Sequence, residues 1–229
     1  MRVFYGGTFD PLHNGHLAVA RSVRDALSAQ VGLLPAHDPP HKGPTRADAL
    51  QRAAMLDLAV AGERGLYVDR RELDRKGPSW TVDTLTELRG ELGVDVPLAW
   101  LIGADSLLQL ASWHRWRDLF ELAHILVVGR PGVAVDAESL RTHAPEVFAE
   151  ITPRWRDPGQ LAEAAHGGVA RVAMPALRPE SSTELRRRIH DGAPWQDWVP
   201  PAVAAYISHH GLYQPVPAII PTLSASDNP

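Results

Sequence analysis

Short apolar runs alternate with longer segments of helical periodicity along most of this chain. Six runs of aliphatic, β-branched and aromatic residues are typical of buried strands, at 3–5, 31–34, 66–69, 98–102, 125–128 and 169–174. Five stretches with helical spacing lie between them, at about 16–29, 47–62, 81–92, 105–110 and 114–123. This alternation predicts an α/β fold in which a doubly wound parallel sheet carries helices on both faces.

One internal segment departs from the alternation. Residues 132–166 contain several prolines and a weak apolar pattern, so we expect a mostly irregular or short-helical insert on the surface. Residues 214–229 contain four prolines among small polar residues and are expected to form a flexible tail. No clean linker divides the remainder, which predicts a single domain over residues 1–213.

The end of that domain, about 181–213, is predicted to be a small helical C-terminal lobe. Ser181 and Glu184 have the spacing of a capping box, in which the hydroxyl caps a helix and the carboxylate reaches back. Pro201 opens a second helix, and Gly211 has the position of the glycine that follows a helix C-cap.

Composition narrows the class of protein. The net charge of −4 gives no large basic face, so we expect no nucleic-acid partner. Cysteine is absent, which excludes disulfides and thiolate metal sites and is compatible with a cytoplasmic protein. No apolar run approaches the roughly 20 residues of a membrane span, and the chain opens on a strand with no signal-peptide pattern, so no membrane partner is expected.

The first predicted strand and helix are joined by the run GGTFDPLHNGH at residues 6–16. Open α/β sheets bind ligands at the carboxyl ends of their strands, where a helix N-terminus also presents free N–H groups. The glycines allow a ligand to approach the backbone closely. His13 and His16 are three residues apart, so their imidazoles can lie on one side of the turn. These features favour a site that handles a polyphosphate.

The same run resembles the GTFDPxHxGH signature of the nucleotidyltransferase α/β-phosphodiesterase superfamily. The resemblance implies a Rossmann-like fold and a nucleotide site in which His13 and His16 belong to the catalytic set. It also implies that the preceding loop binds ATP through Gly6, Gly7, Thr8, Phe9 and Asp10. The alternative is a tight strand–turn–helix connection with two incidental histidines.

Further motifs in the same order resemble the nicotinate mononucleotide adenylyltransferases. A PPHK run at 39–42 implies that Lys42 contacts the ATP phosphates, whereas its other interpretation is an exposed loop lysine. An SWTVDTL run at 79–85 resembles an element that helps to hold the mononucleotide, here through Thr81. Ser79 or Thr81 could instead simply cap the helix.

A GxD element and a WxxW element complete the middle of the chain. The resemblance implies that Gly103 and Asp105 lie near the ribose of the nucleotide, where a carboxylate accepts from hydroxyl groups. It also implies that Trp113, with its neighbour His114, binds the pyridine ring of the mononucleotide. Trp116 is expected to pack in the core, which is the usual position of aromatics at helical spacing.

The last motif, SSTELR at 181–186, resembles the ISSTxxR signature of the same family. Hydroxyls at a helix N-terminus with an arginine one turn later form a phosphate site, so Ser182 and Thr183 are expected to bind ATP and Arg186 to act in catalysis. An ordinary capping box with a solvated arginine is the other interpretation. Glu180 stands where the family has an apolar residue.

Together the motifs resemble those of the nicotinate mononucleotide adenylyltransferases, and the resemblance implies an enzyme that joins nicotinate mononucleotide and ATP, giving nicotinate adenine dinucleotide and pyrophosphate in NAD biosynthesis. We expect in-line attack by the mononucleotide phosphate, with His16 at the α-phosphate and His13 with Lys42 at the outer phosphates. Mg²⁺ would arrive with ATP. His13 and His16 lack a third ligand, so no protein-held metal is predicted.

Two other functions remain open from the sequence. A relative could use nicotinamide mononucleotide or phosphopantetheine as the acceptor, and the choice between acid and amide does not follow from residue spacing. A non-catalytic nucleotide sensor could also have this fold. A homo-oligomer is possible in either case, and the sequence does not give its order.

Overall fold

Six parallel strands form one sheet in the order β3-β2-β1-β4-β5-β6, in a computed structural model that describes residues 1–37, 44–75, 77–129, 136–174 and 179–215. The strands are β1 Arg2–Gly7, β2 Gln30–Pro35, β3 Leu66–Val68, β4 Leu98–Gly103, β5 His124–Val128 and β6 Val169–Val172. The six predicted strands and their parallel arrangement are therefore confirmed. The winding reverses between β1 and β4, and such a reversal opens a crevice at the carboxyl ends of the strands.

Helices cover both faces of the sheet. They are α1 Asn14–Leu27, α2 Ala49–Val60, α3 Thr81–Leu92, α4 Ala104–Leu108, α5 Leu119–Leu122, α6 Ala137–His143, α7 Pro145–Ile151, α8 Ser182–His190 and α9 Pro201–His209. Apolar side chains of α1, α2, α8 and α9 form one core with the sheet, and those of α3 to α7 form a second core on the other face. The doubly wound fold is thus confirmed.

The predicted helix over 114–123 is wrong in its first half. Arg115 has a left-handed φ of 51°, which interrupts the helical path, and only a short 3-10 turn at Trp116–Asp118 precedes α5. The indole of Trp116 is buried beside Phe120, so its predicted packing role is confirmed.

The described part of the insert is short-helical, as predicted, but it is more than a surface feature. Its helices α6 and α7 bury Leu140, Val147 and Ile151 in the second core. Two 3-10 turns, at Thr152–Arg154 and Pro158–Glu163, complete this region before β6.

The C-terminal helices pack into the first core rather than against it as a separate layer. Ser181 caps α8 by accepting from the backbone N–H of Glu184 at 3.2 Å, but the second half of the predicted capping box does not form. The Glu184 carboxylate instead accepts from Arg187 and Arg188, and these bonds lower its pKa to about 2. Gly211 follows the C-cap of α9 with a φ of 58°, as predicted. The predicted tail lies outside the described residues from 216 onward.

Across the described ranges, no helix combines the length and the apolar character that a bilayer span requires.

Candidate active site

A cleft of about 740 Å³ opens at the carboxyl ends of β1 and β4, where the strand order reverses. It brings together the predicted site residues that fall in the described part of the chain. They are Gly6, Gly7, Thr8, Phe9, Asp10, His13, His16, Thr81, Gly103, Asp105, Trp113, His114, Ser182, Thr183 and Arg186. Lys42, also predicted for this site, lies outside the described residues. The roles of these residues remain predictions.

Two stacked imidazoles line the cleft. His13 occupies the N-cap of α1 and His16 lies in the first turn, with ring centroids 3.7 Å apart and planes 26° from parallel. The backbone N–H of His13 donates to Nδ1 of His16 at 3.3 Å, so the neutral His16 ring carries its proton on Nε2. The rings of Phe9 and His16 make an edge-to-face contact, with centroids 5.1 Å apart. The helix N-terminus therefore presents an oriented Nε2–H donor.

Gly6 and Gly7, the last two residues of β1, are held close to aromatic rings, which is a reason for glycine that we did not predict. A Cβ on Gly6 would lie 2.3 Å from the indole of Trp100 on the neighbouring strand β4. A Cβ on Gly7 would lie 3.0 Å from the ring of Phe9. Packing against the Trp100 ring therefore favours glycine at position 6, and the Phe9 ring leaves little room for a larger residue at position 7.

Asp10 lines the cleft, but its carboxylate is buried and occupied by internal donors. It accepts from the backbone N–H of Arg46 at 2.8 Å, from that of Ala47 at 3.1 Å and from the hydroxyl of Tyr213 at 2.9 Å. Burial beside this carboxylate raises the pKa of Tyr213 far above its usual range. The structure therefore gives this carboxylate an anchoring function, and the predicted part of Asp10 in ATP binding stays a prediction.

The N-terminus of α8 is tied to the same loop. Arg186 donates to the backbone carbonyl of Asp10 and, at 3.3 Å, to the hydroxyl of Thr183. Ser182 donates to the carbonyl of Pro11 at 2.9 Å. The predicted phosphate-binding hydroxyls and guanidinium thus line the same cleft as the histidines, although Ser182 lies 171 positions after Pro11 in the sequence.

Arg52 is a structurally important residue that our sequence analysis missed. Its side chain is fully buried, and it donates to the carbonyls of Thr8 and Ala36 at 2.7 Å each. Burial lowers the pKa of this guanidinium. It connects the loop after β1 to the end of β2. The helical spacing of the sequence could have indicated its burial. Arg52 lies three residues before Met55 and four before Leu56, and both of these are on the buried face of α2.

The opposite end of the cleft is formed by the start of α3 and the segment after α4. Trp80, rather than Ser79 or Thr81, occupies the N-cap of α3 and makes no side-chain cap, so the capping interpretation is wrong. Ser79 instead accepts from the backbone N–H of His37 at 3.2 Å. The indole of Trp80 lies over the His114 ring, with centroids 5.0 Å apart, beside the half-buried Trp113.

A buried carboxylate that we did not predict also lines this end. Glu72 accepts from the hydroxyl of Thr84 at 2.7 Å, and Arg75 donates to the same hydroxyl at 2.8 Å. Burial raises the pKa of Glu72, against the opposing effect of the Thr84 hydrogen bond. No sequence motif marked this residue, because its burial depends on contacts with α3.

Within the ranges that the structure describes, no three His, Cys, Asp or Glu side chains are grouped so as to hold a metal ion. The cationic and N–H donors of the cleft suit a polyanion instead.

A cleft at the reversal point of a parallel sheet, with stacked histidines and two helix N-termini, defines a nucleotidyltransferase of Rossmann-like fold. Residues 4–188 match the cytidylyltransferase-like family model. A Stenotrophomonas maltophilia protein named "Probable nicotinate-nucleotide adenylyltransferase" is 50% identical over 220 residues, which cover 93% of this chain and 97% of that protein. A Yersinia pestis protein of the same name is 44% identical over 92% of this chain and 94% of its own length. The chain belongs to the nicotinate-nucleotide adenylyltransferase family.

The fold is also that of a solved enzyme. The Plasmodium falciparum nicotinic acid mononucleotide adenylyltransferase complexed with NaAD superimposes with a TM-score of 0.69, covering 93% of this chain and 96% of that one. The two sequences are only 16% identical, so this likeness concerns the fold alone.

Proposed function

We propose that this enzyme transfers the adenylyl group of ATP to nicotinate mononucleotide, giving nicotinate adenine dinucleotide and pyrophosphate in NAD biosynthesis. The observation that carries the proposal is the stacked pair His13 and His16 at the N-terminus of α1, facing the cleft that α8 also borders. The identity of 50% with a relative of that name over nearly the whole chain supports the choice of substrates.

The chemistry requires positioning and charge neutralisation rather than a strong base. A phosphate monoester is already ionised at neutral pH, so it attacks the α-phosphorus in line and pyrophosphate leaves. The Nε2–H of His16 is assigned to the α-phosphate, where it stabilises charge that develops in the transition state. His13 and Lys42 are assigned to the outer phosphates.

The α8 side of the cleft is assigned to the same outer phosphates. Arg186 is held by the Asp10 carbonyl, and the N–H groups of α8 lie beside Ser182 and Thr183. A guanidinium and a helix N-terminus both favour phosphate oxygens. Gly103, which precedes α4, and Asp105 are assigned to the ribose.

Mg²⁺ is proposed to reach this site bound to the phosphates of ATP, where it neutralises their charge. The donor set supports this arrangement, because the Asp10 carboxylate is already occupied by three hydrogen-bond donors. A metal held by phosphates needs few protein ligands.

The mononucleotide is assigned to the end of the cleft that contains Thr81, Trp113 and His114. The rings of Trp113 and His114 offer a stacking surface for a pyridine ring. We propose nicotinate rather than nicotinamide on the names of the relatives. A cytoplasmic location and self-association are further parts of the proposal, which cell fractionation and light scattering test.

The test is turnover with matched acceptors. Purified enzyme with ATP and Mg²⁺ is given nicotinate mononucleotide, nicotinamide mononucleotide or phosphopantetheine, and pyrophosphate release and the dinucleotide product are measured. We expect the highest kcat/KM with nicotinate mononucleotide. A preference for another acceptor overturns the substrate assignment. ATP binding without pyrophosphate release for any acceptor favours the sensor instead.

A further inference from the structure

We infer that Arg46 is a further phosphate-binding residue of this site, which holds the outer phosphates of ATP and the departing pyrophosphate. The inference rests on the proposed function for the identity of the ligand. Arg46 is exposed and lines the same cleft as His13, Ser182 and Arg186. No motif in the sequence marked it, and the proposed mechanism does not yet use it.

The position of Arg46 is fixed by the loop that bears the histidines. The buried carboxylate of Asp10 accepts from the backbone N–H groups of Arg46 and Ala47. Asp48 then caps α2 by accepting from the N–H of Gln51 at 2.8 Å. A residue held at its backbone in this way positions its side chain at a lower entropic cost than one on an untethered loop.

The same helix anchors this segment a second time. Arg52, one turn into α2, donates to the carbonyl of Thr8 in the first loop. The stretch 46–52 is therefore connected to the loop 8–10 at both of its ends. These contacts fix the backbone of Arg46 relative to the loop 8–10.

The guanidinium of Arg46 is available for a ligand. In the part of the chain that the structure describes, it takes part in no ion pair, whereas Arg75, Arg187 and Arg188 are each paired with a carboxylate. The nearby Asp10 carboxylate is buried and turned to N–H and O–H donors. An exposed arginine without an acidic partner is able to bind phosphate oxygens through a bidentate contact.

Arg46 and Arg186 approach the loop through different atoms of one residue. Arg186 donates to the backbone carbonyl of Asp10, and the carboxylate of Asp10 holds the backbone of Arg46. Both arginines therefore line the cleft beside Asp10, Arg186 from α8 and Arg46 from the segment that precedes α2. In the proposed complex, the negative charge of the triphosphate and of the leaving pyrophosphate lies in this part of the cleft, beside Asp10.

The experiment compares Arg46→Gln and Arg46→Lys with the control Arg64→Gln. Arg64 is exposed and precedes β3, at the end of the sheet opposite the cleft, so its loss makes the same change in charge elsewhere. Kinetic constants are measured for both substrates, together with the inhibition constant of pyrophosphate. Calorimetry gives the affinity for ATP and for pyrophosphate without any need for turnover. The melting temperature verifies folding, because the Asp10 contact uses only the backbone of residue 46.

We expect Arg46→Gln to raise the KM of ATP and both dissociation constants by about 10-fold, as loss of a charge-assisted hydrogen bond does. The KM of the mononucleotide should change less than about twofold, and Arg46→Lys should give an intermediate effect because an ammonium is a point charge. Equal shifts for both substrates, or shifts no larger than those of Arg64→Gln, overturn the inference. An enzyme that binds ATP with these shifts but forms no dinucleotide would contradict the proposed function and leave the role of Arg46 intact.

Discussion

The hydroxyl of Tyr213 donates to Oδ1 of Asp10 at 2.9 Å, although the two residues are 203 positions apart in the sequence. This contact joins the end of the C-terminal helices to the loop that bears His13 and His16. The same carboxylate oxygen also accepts from Ala47, so one buried group connects three segments around the phosphate end of the cleft.

Removing this hydroxyl should loosen the phosphate end of the cleft. We expect Tyr213→Phe to lower the free energy of unfolding by about 1–2 kcal/mol, since a hydrogen bond to a carboxylate is lost. The KM of ATP should rise about three- to tenfold with kcat nearly unchanged, because Arg46 and Arg186 are positioned through Asp10. Tyr206→Phe on α9 is the matched control. If both variants alter the KM of ATP equally, Tyr213 has no such positioning role.

The contact between Gly6 and Trp100 predicts a specific rescue. Gly6→Ala places a methyl group 2.3 Å from the indole, so we expect a loss of about 1–3 kcal/mol in unfolding free energy and reduced turnover. Trp100→Phe removes the indole atoms that would clash, Cζ2 and Cη2. The double variant should therefore be more stable than the two single losses imply. Strict additivity in urea unfolding experiments would show that the indole is not the reason for glycine.

Replacement of Arg52 should affect the stability of the fold more directly than it affects the chemical step. Arg52→Met leaves the carbonyls of Thr8 and Ala36 without their donor, and we expect a loss of about 3 kcal/mol in unfolding free energy. Arg70→Met, at an exposed ion pair with Asp57, is the control and should change stability by less than about 1 kcal/mol. A buried-site variant as stable as the control would contradict the assigned role.

Protonation of the buried His124 ring should make the free energy of unfolding depend on pH. Its Nδ1 accepts from the backbone N–H of Gly168 at 2.9 Å, and its Nε2 lies 2.9 Å from the carbonyl of Ala164, so the fold holds a neutral ring. Burial lowers its pKa below the ordinary value of 6.5. The folded state therefore binds this proton less readily than the unfolded chain does. Stability from His124 is fully present above pH 6.5 and is lost as the pH falls toward the folded pKa.

The measurement is urea unfolding between pH 8 and pH 5 for the native protein and for His124→Gln. We expect the native protein to lose stability over this range more steeply than the variant, which is less stable at pH 8 but lacks the titrating ring. Parallel pH curves for the two proteins would show that His124 does not titrate with folding.

The local sequence pattern was sufficient to predict the sheet and many of the residues that line the cleft. Buried parallel strands such as His124–Val128 appear as continuous apolar runs, and the spacing of His13 and His16 correctly predicted rings on one side of the turn. The helix at 114–123 failed because the left-handed backbone at Arg115 has no marker in residue type.

Long-range polar contacts could not be predicted in the same way. Nothing in residue spacing indicates that Tyr213 reaches Asp10, or that the buried Arg52 reaches Thr8. The partner of Glu184 was also mistaken, because two arginines in the next turn compete for its carboxylate more strongly than a backbone N–H does. Such choices depend on which donors the tertiary fold brings near.

The most direct test of the account is the kcat of His16→Ala for the formation of nicotinate adenine dinucleotide. Loss of a preorganised donor at the α-phosphate should lower kcat by about 100-fold or more. The variant should still bind ATP and should melt near the native temperature, because His16 is only half-buried. His190→Ala, on the exposed face of α8, should retain native turnover. A folded His16→Ala enzyme with kcat within a few-fold of the native value would contradict the assignment of the stacked histidines to adenylyl transfer.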